Sequence, residues 1–484
     1  MPIEKERKDV GIADGEVSSG ANVGLSSYEL ERLENIRQNQ AFLSSINLLQ
    51  ANEELKKLTR PKPSQRGLMS RPKAAVKEVL PARKSLRLQN IKAEPLALLP
   101  EPRVMLIMQK KPKKPPGPLP MVAVNMEEGS KLPSQLLELW SEDSTEERKM
   151  RLDLKEYRSA LESMKITKDR VAKVVMEHIF SAAFHPSASS LLLATGDKLG
   201  KVELWKLGGD WGDDGVLFFE PHTGPVSCMA FSRAHPTQLL SLSYDGSLRC
   251  MDVEKAVFHD VYDTAEGLNT FDFMSHDCFT LVVGNSLGEV AIVDRRTPGN
   301  THEFLHSLDP KTLRCVSVHP SQKQYFVVAG SKVVNIYDSR YLTKTESQAV
   351  SVLRGHSFSI SSAYFSPHTG NRVLSTCMDN YIRIYDTSAM TTKSPLLTTI
   401  KHIRTGRYLT KLSAKWDPKQ EDCFVVSSMA HPRMVQVFHE SGQRQHSFID
   451  TKHRHIVLSA TAFHPTRNAF LGGNVSGRLY VFSD

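Results

Sequence analysis

Eighteen histidines and six cysteines are the residues of this 484-residue chain that could ligate a metal or carry acid–base and nucleophilic chemistry. Their spacing argues against each. Cys228, Cys250, Cys278, Cys315, Cys377 and Cys423 are scattered without paired spacing, the pattern of reduced thiols within strands. No zincin helix, no glycine-rich phosphate loop after a strand and no nucleophile elbow is present. The chain is therefore expected to be no enzyme, with no catalytic residue, no metal and no cofactor. Many histidines instead take places that a structural repeat requires. His185, His319 and His464 precede prolines at turns, while His222 and His356 each stand 23 residues before an aspartate, Asp245 and Asp379, with Ser241 and Ser375 four residues before that aspartate. A histidine that reaches an aspartate and a serine across a turn forms a relay in which buried polar groups satisfy one another, which selects one register.

The elements that position such a relay are legible around the second one. From Arg354 to Asp386 the chain opens with Gly355-His356, runs apolar to Phe365-Ser366-Pro367, turns at Asp379 and closes on Tyr385-Asp386. This is the four-stranded WD-repeat pattern, with Tyr385 here and Met251 in the earlier unit standing where a tryptophan is usual. Inner strands end at Phe184, Phe231, Phe273, Val318, Phe365, Trp416 and Phe463, at intervals of 47, 42, 45, 47, 51 and 47 residues. Seven units of this period predict an all-β fold, a seven-bladed WD40 β-propeller with a largely disordered, basic N-terminal extension.

Taken in order, residues 1–24 are polar and expected to be disordered. Residues 25–58 read as an amphipathic helix, capped by Ser26 with Glu29 and carrying Leu30, Leu33, Ile36, Phe42, Leu43 and Ile46. Residues 59–120 form a Pro-rich basic linker in which twelve prolines forbid a long helix. Between Arg60 and Pro118 there are 15 Lys or Arg against three Glu, so this tail carries more than the whole net charge of +9. Such a segment suits phosphate contact, and Lys110 to Pro115 has the character of a nuclear import signal. Residues 121–167 read as a partly helical connector, with an apolar patch at Leu136, Leu137, Leu139 and Trp140. Residues 168–484 supply the propeller. The seventh unit stops after its third strand, so a strand near 171–176 is expected to close the ring, and truncation at either end to be damaging. No apolar run approaches the roughly 18 residues that span a bilayer, and no signal peptide is evident, so a soluble intracellular protein without a membrane partner is expected.

Sorting residues by propeller face exposes the remaining signal. Loops that join one blade to the next, and second strands to third, share the upper face. There the sequence places Lys198, Lys311, Arg314, Lys332, Arg354, Lys401, His402, Arg404, Arg407, His431, Arg433, Lys452, His453, Arg454 and His455, against chiefly Asp197, Glu266 and Asp309. A concave surface of one sign concentrates polyanions, so these Lys and Arg residues are the candidate DNA contacts, with Phe358, Tyr381 and Tyr408 as candidate base-probing aromatics. An acidic or phosphorylated peptide from a histone or other partner is the alternative occupant. On the lower face, Asp294-Arg295-Arg296 and Asp338-Ser339-Arg340 place an arginine two residues after the closing aspartate of two successive blades. This spacing resembles the signature of propellers that dock on damaged-DNA-binding protein 1, the adaptor of cullin-4 ubiquitin ligases.

With Tyr28-Glu29, Arg32 to Ile36, Asn39 and Pro81 to Leu88 in view, most of the chain resembles the WD repeat-containing protein 76 family, relatives of damage-specific DNA-binding protein 2. The resemblance implies a nuclear protein of the DNA damage response that binds damaged or modified DNA, associates with chromatin and serves cullin-4 ligases as a substrate receptor. Arg296 and Arg340 match the adaptor-binding positions, although Val293 and Tyr337 replace the tryptophan expected before each aspartate.

Overall fold

The described strands reverse at short turns into seven antiparallel sheets. A computed structural model describes residues 27–45, 113–127, 132–134, 136, 152–212, 215–297, 301–309, 311–345, 347–401, 403–406, 408–448 and 456–484. The chain divides into two units, 1–103 and 104–484. In the first, α1 (Ser27–Ser45) leaves Leu30, Leu33, Ile36 and Phe42 exposed, and apolar and polar side chains are poorly segregated around it. It thus falls short of the amphipathic helix expected. Ser26, Leu43 and residues 46–58 lie outside the description, as do 1–24 and the tail before Lys113.

The second unit is the propeller. Its inner strands are Ile179–Phe184, Val226–Phe231, Leu268–Phe273, Leu313–Val318, Ile360–Phe365, Lys415–Trp416 and Ala460–Phe463. Each pairs outward with a second, third and outer strand, giving blades one to seven in sequence order. Buried apolar residues alternate along these strands and interlock between neighbouring blades, as Leu204, Phe219, Val226 and Phe231 do between blades one and two. In blade seven the outer position is filled by Val171–Lys173, antiparallel to Arg478–Ser483, with Val171 opposite Tyr480 and Lys173 opposite Arg478. Gly477 turns into that last strand at φ +78°, and a Cβ there would meet the Val175 carbonyl at 2.1 Å, so the ring closes on a glycine.

Two N-terminal segments add to the propeller. Residues 113–127 lie against blade two: Leu119–Pro120 pairs with Val257 and Phe258 as a fifth strand. Lys113 Nζ meets Asp263 Oδ1 at 2.7 Å and also the Thr264 carbonyl. The Gly117 amide donates to Asp260 Oδ2 and Arg249 donates to the Pro115 carbonyl. Proline is tolerable at a sheet edge because its missing N–H has no inward partner, and Met121 and Ala123 then bury between blades one and two. Residues 113–120 are thus part of the folded rim, which covers an edge otherwise open to further pairing. The connector supplies α2 (Leu154–Ser163), opened by a capping box between Asp153 and Glu156. Its Tyr157 and Leu161 pack with Val425, Val437 and Phe448 of blade six and Phe470 and Phe482 of blade seven. The Tyr157 hydroxyl donates to the buried Asp417 carboxylate at 2.9 Å. Leu136 buries against blades one and two, while Leu137, Leu139 and Trp140 lie outside the described residues.

Candidate nucleic-acid interface

The blade relays hold the upper loops, and both differ from the expected direct His–Asp bond. In blade two, His222 Nε2 meets Ser241 Oγ at 2.8 Å and Nδ1 meets Ser247 Oγ at 2.7 Å. Asp245 stands 3.7 Å from the ring, reaching it through Ser247 and capping the Thr223 and Ser247 amides. The serine at 247 intervenes because it begins the third strand just under the ring. In blade five, His356 Nε2 meets Ser375 Oγ at 2.8 Å, but Asp379 is gripped by Arg383, whose Nη1 and Nη2 donate at 3.2 and 2.8 Å. Four residues on, Arg383 brings a full positive charge where the histidine offers a neutral ring, and the carboxylate pairs with the charge. Burial raises the Asp379 carboxyl, and the Arg383 bond and charge together with hydrogen bonds from Cys377 and Ser357 outweigh it, leaving it below the usual range. Tyr385 replaces the tryptophan by donating to the Arg354 carbonyl at 2.6 Å, while Met251 is simply buried. Arg383 and its blade-two equivalent Arg249, paired with Asp260 at 2.9 Å, were not anticipated. Their sign was present: both stand two residues before the position of the blade tryptophan.

Burial of the relay and turn imidazoles has a pH consequence. Desolvation, then the Arg383 charge, pushes His356 down to about 4, and desolvation, then Lys419, pushes His464 down to about 3. Both stay neutral in the fold, whereas an unfolded histidine takes up a proton near pH 6.5. The unfolded state therefore binds more protons below that value, and stability falls as pH falls from 6.5 towards 4. Lowering pH from 8 to 6 is expected to cost about 1 kcal/mol for each of these imidazoles. Chemical denaturation at the two pH values measures it, and His464→Gln should flatten the dependence.

The expected cations separate by position. Lys198 lies at the turn of blade one. Lys311 and Lys332 stand on the loops of blade four, Arg354 on the entry to blade five, Lys401 and Arg404 on the entry to blade six, and Arg433 between its second and third strands. All but Arg433 are exposed. Arg314, expected in a loop, lies within the inner strand of blade four and faces the central channel, because that strand begins one residue earlier. Arg407, Lys452 and Arg454 fall outside the described residues, with His402, His453 and His455.

Ion pairs on this face lie largely on other blades, with Lys201–Glu220 at 3.0 Å and Lys113–Asp263 at 2.7 Å. Half-buried Glu177 and Glu266 also stand on that other side. Lys311, Lys332, Arg354, Lys401 and Arg404 have no described carboxylate partner, and of the two described acids in the upper loops of blades four to six, Asp379 is spent on Arg383. The upper face is thus divided, with a basic arc over blades four to six. Among the aromatic candidates, Phe358 is 59% exposed at the centre of that arc. Tyr381 lies under Arg383, 5.2 Å from its guanidinium, and half-buried Tyr408 lines the channel mouth.

On the lower face, Arg296 Nε meets Asp294 Oδ1 at 2.9 Å and Arg340 Nε meets Asp338 Oδ1 at 3.0 Å, each guanidinium reaching the second carboxylate oxygen as well. These hydrogen bonds hold both carboxyls below their usual range. The arginines remain 60% and 58% exposed; Arg296 Nη1 also lies 3.9 Å from Asp277 Oδ2, and Tyr341, 74% exposed, lies 5.6 Å from the Arg340 guanidinium.

Similar proteins add a decisive observation. The WD domain, G-beta repeat family matches residues 215–252 and 347–386, the two units that contain the His222 and His356 relays. WD repeat-containing protein 76 of Xenopus laevis is 45% identical over 95% of this chain and 80% of its own length, and that of Mus musculus is 43% identical over 95% and 74%. The chain belongs to the WD repeat-containing protein 76 family. A more distant similarity, 27% identity over 95% of this chain and 99% of the other, extends to DNA damage-binding protein CMR1 of Scheffersomyces stipitis. Among the described residues, no cluster of metal-ligating side chains is present and no helix is long and apolar enough to cross a membrane.

Proposed function

We propose that this chain is a non-catalytic nuclear DNA-binding protein of the DNA damage response, engaging DNA on the upper face. The observation that carries the proposal is the run of cations on consecutive loops of blades four to six without matching carboxylates. Such a surface neutralises phosphates and releases their counterions, while Phe358 stands where a flat side chain can wedge beside a base. The name of the CMR1 relative, a DNA damage-binding protein, favours damaged duplex over an acidic histone peptide as the ligand. The exposed Asp–Arg pairs on the lower face form a second contact region, suited to damaged-DNA-binding protein 1 and hence to a cullin-4 ligase, which leaves the upper face free for DNA.

One experiment tests both faces. The 484-residue chain carrying Arg354→Glu/Arg404→Glu is titrated with plain, lesion-bearing and base-modified duplexes beside a variant carrying Arg296→Ala/Arg340→Ala. The upper-face variant is expected to lose about 10- to 100-fold in affinity for every duplex and to show a shallower salt dependence. The lower-face variant should keep duplex affinity and lose binding to the purified adaptor. Unchanged duplex affinity in a folded upper-face variant overturns the DNA site, and tighter binding of an acidic histone peptide than of duplex at physiological salt replaces it with the peptide reading.

A further inference from the structure

The inner strands of all seven blades surround a channel of about 420 Å³, within the size range of small-ligand sites. Its wall holds Arg314, Lys411 and Lys415 and, among the lining residues, no carboxylate. The two lysines arrive there by an irregular route. After Ile400 the chain does not cross the upper face to the next blade directly. It dips into the ring, so that Gly406 and residues 408–413 line the channel. The descent is fixed at both ends: Thr405 Oγ1 donates to the Cys377 carbonyl at 2.9 Å, and the Ala414 amide donates to Thr376 Oγ1 at 2.8 Å. Lys411 Nζ is tied to the Arg314 carbonyl at 3.1 Å, which joins the dipping segment to blade four.

Lys415 follows on the inner strand of blade six, where burial lowers the affinity of its amine for a proton and only the Cys228 and Cys315 thiols act in the other direction. Asp272, a buried carboxyl near Cys228, is committed to the amides of Val318 and Phe273. Around the same space, Thr410 Oγ1, Ser459 Oγ and Thr461 Oγ1 are buried without a hydrogen-bond partner among the described residues. Cations and hydroxyl donors enclosed without a counter-charge are costly unless an anion completes them.

We propose that the channel binds a small phosphate-bearing anion, with Lys411, Lys415 and Arg314 neutralising the phosphoryl oxygens and Thr410, Ser459 and Thr461 donating to them. Tyr364 and Tyr408 line the same cavity and bound the non-phosphate part of the ligand. The volume excludes a duplex, so the site is independent of the DNA surface above it.

The test is a titration of the full chain with inorganic pyrophosphate at constant ionic strength, followed by calorimetry and by the thermal midpoint. Saturable heat and a midpoint that rises with ligand concentration are expected. Lys411→Gln and Arg314→Gln should each weaken binding by about tenfold or more, while Lys332→Gln on the outer loops leaves it unchanged. Lys415→Met should raise the midpoint without ligand and abolish the response to it. If that variant fails to fold, the two glutamine variants carry the test alone. No heat and no shift up to about 10 mM pyrophosphate, or a shift equal in wild type and both glutamine variants, overturns the proposal. Duplex affinity measured on Lys411→Gln is expected to match wild type, which keeps a failure here distinct from a failure of the DNA surface.

Discussion

Deleting residues 1–173 is expected to yield no folded propeller, even though the four consecutive strands of each of blades one to six are retained. The deletion removes the rim strand Leu119–Pro120 from blade two and Val171–Lys173 from blade seven, and the loss of the latter, the outer member of its blade, leaves Arg478–Ser483 as an open edge. It also removes α2, whose Tyr157 and Leu161 cover Phe470 and Phe482 and whose tyrosine donates to Asp417. Val174 and Val175, fully buried beside Ile179 and Leu479, lose the backbone that holds them. A ring distributes such a defect to its neighbours, because blade seven is the wall against which blades six and one pack. The measurement is soluble yield and thermal unfolding of the deletion beside a chain deleted only through residue 151, which retains α2 and the closing strand. A deletion through 173 that unfolds with the same midpoint as the longer chain would show that closure contributes nothing. Several kcal/mol of buried apolar area argue otherwise.

Arg383→Met is expected to be the most damaging single substitution in blade five, at about 3–5 kcal/mol, because it strands the Asp379 carboxylate in a site where only 3% of that side chain is exposed. The carboxylate keeps its bonds to Ser357 and to the Tyr381 amide, but these neutral donors do not replace a bidentate guanidinium. Asp379→Asn/Arg383→Met should recover much of the loss, since an uncharged amide tolerates the site. His356→Gln should cost less than Arg383→Met, because His356 bonds Ser375 and not the aspartate. Equal losses for the histidine and arginine variants in thermal denaturation would restore the His–Asp bond as the pin of this blade.

The contrast between those two side chains marks what the sequence makes legible. The blade period is visible because every inner strand must end at the same depth in the ring, and Phe184, Phe231, Phe365 and Phe463 all end theirs. Histidine-to-aspartate spacing is visible as well, since it counts residues around one turn. Which partner the aspartate takes is decided by side chains packed from a different strand, and nothing in the spacing weighs Arg383 against His356. The rim segment at 113–127 was hidden for a related reason. Its prolines and lysines have the composition of a linker, and two residues of strand pairing at Leu119–Pro120 carry no periodicity. They become a strand only because blade two offers an edge. For the candidate site, the loops that carry cations follow from the blade count, but the division of the face depends on pairs such as Lys201–Glu220 that join separate loops. Arg314 shows the finest limit, since a shift of one residue at a strand start moves a side chain from the rim to the channel.

The anchoring of Lys113 gives the basic tail a fixed origin. Its ammonium is held at Asp263 and Thr264, on the upper rim of blade two, across the ring from blades four to six. Lys110 and Lys111 stand three and two residues before Lys113 in the sequence. A polyanion held on the arc therefore meets these charges at an effective concentration near the millimolar range, whatever their affinity would be as a free peptide. If DNA binds the arc as proposed, the tail would act as the second jaw of a clamp whose first jaw is the propeller. Binding by the two together would exceed that of either contact alone, and would depend on the Lys113–Asp263 pair that sets where the tail begins.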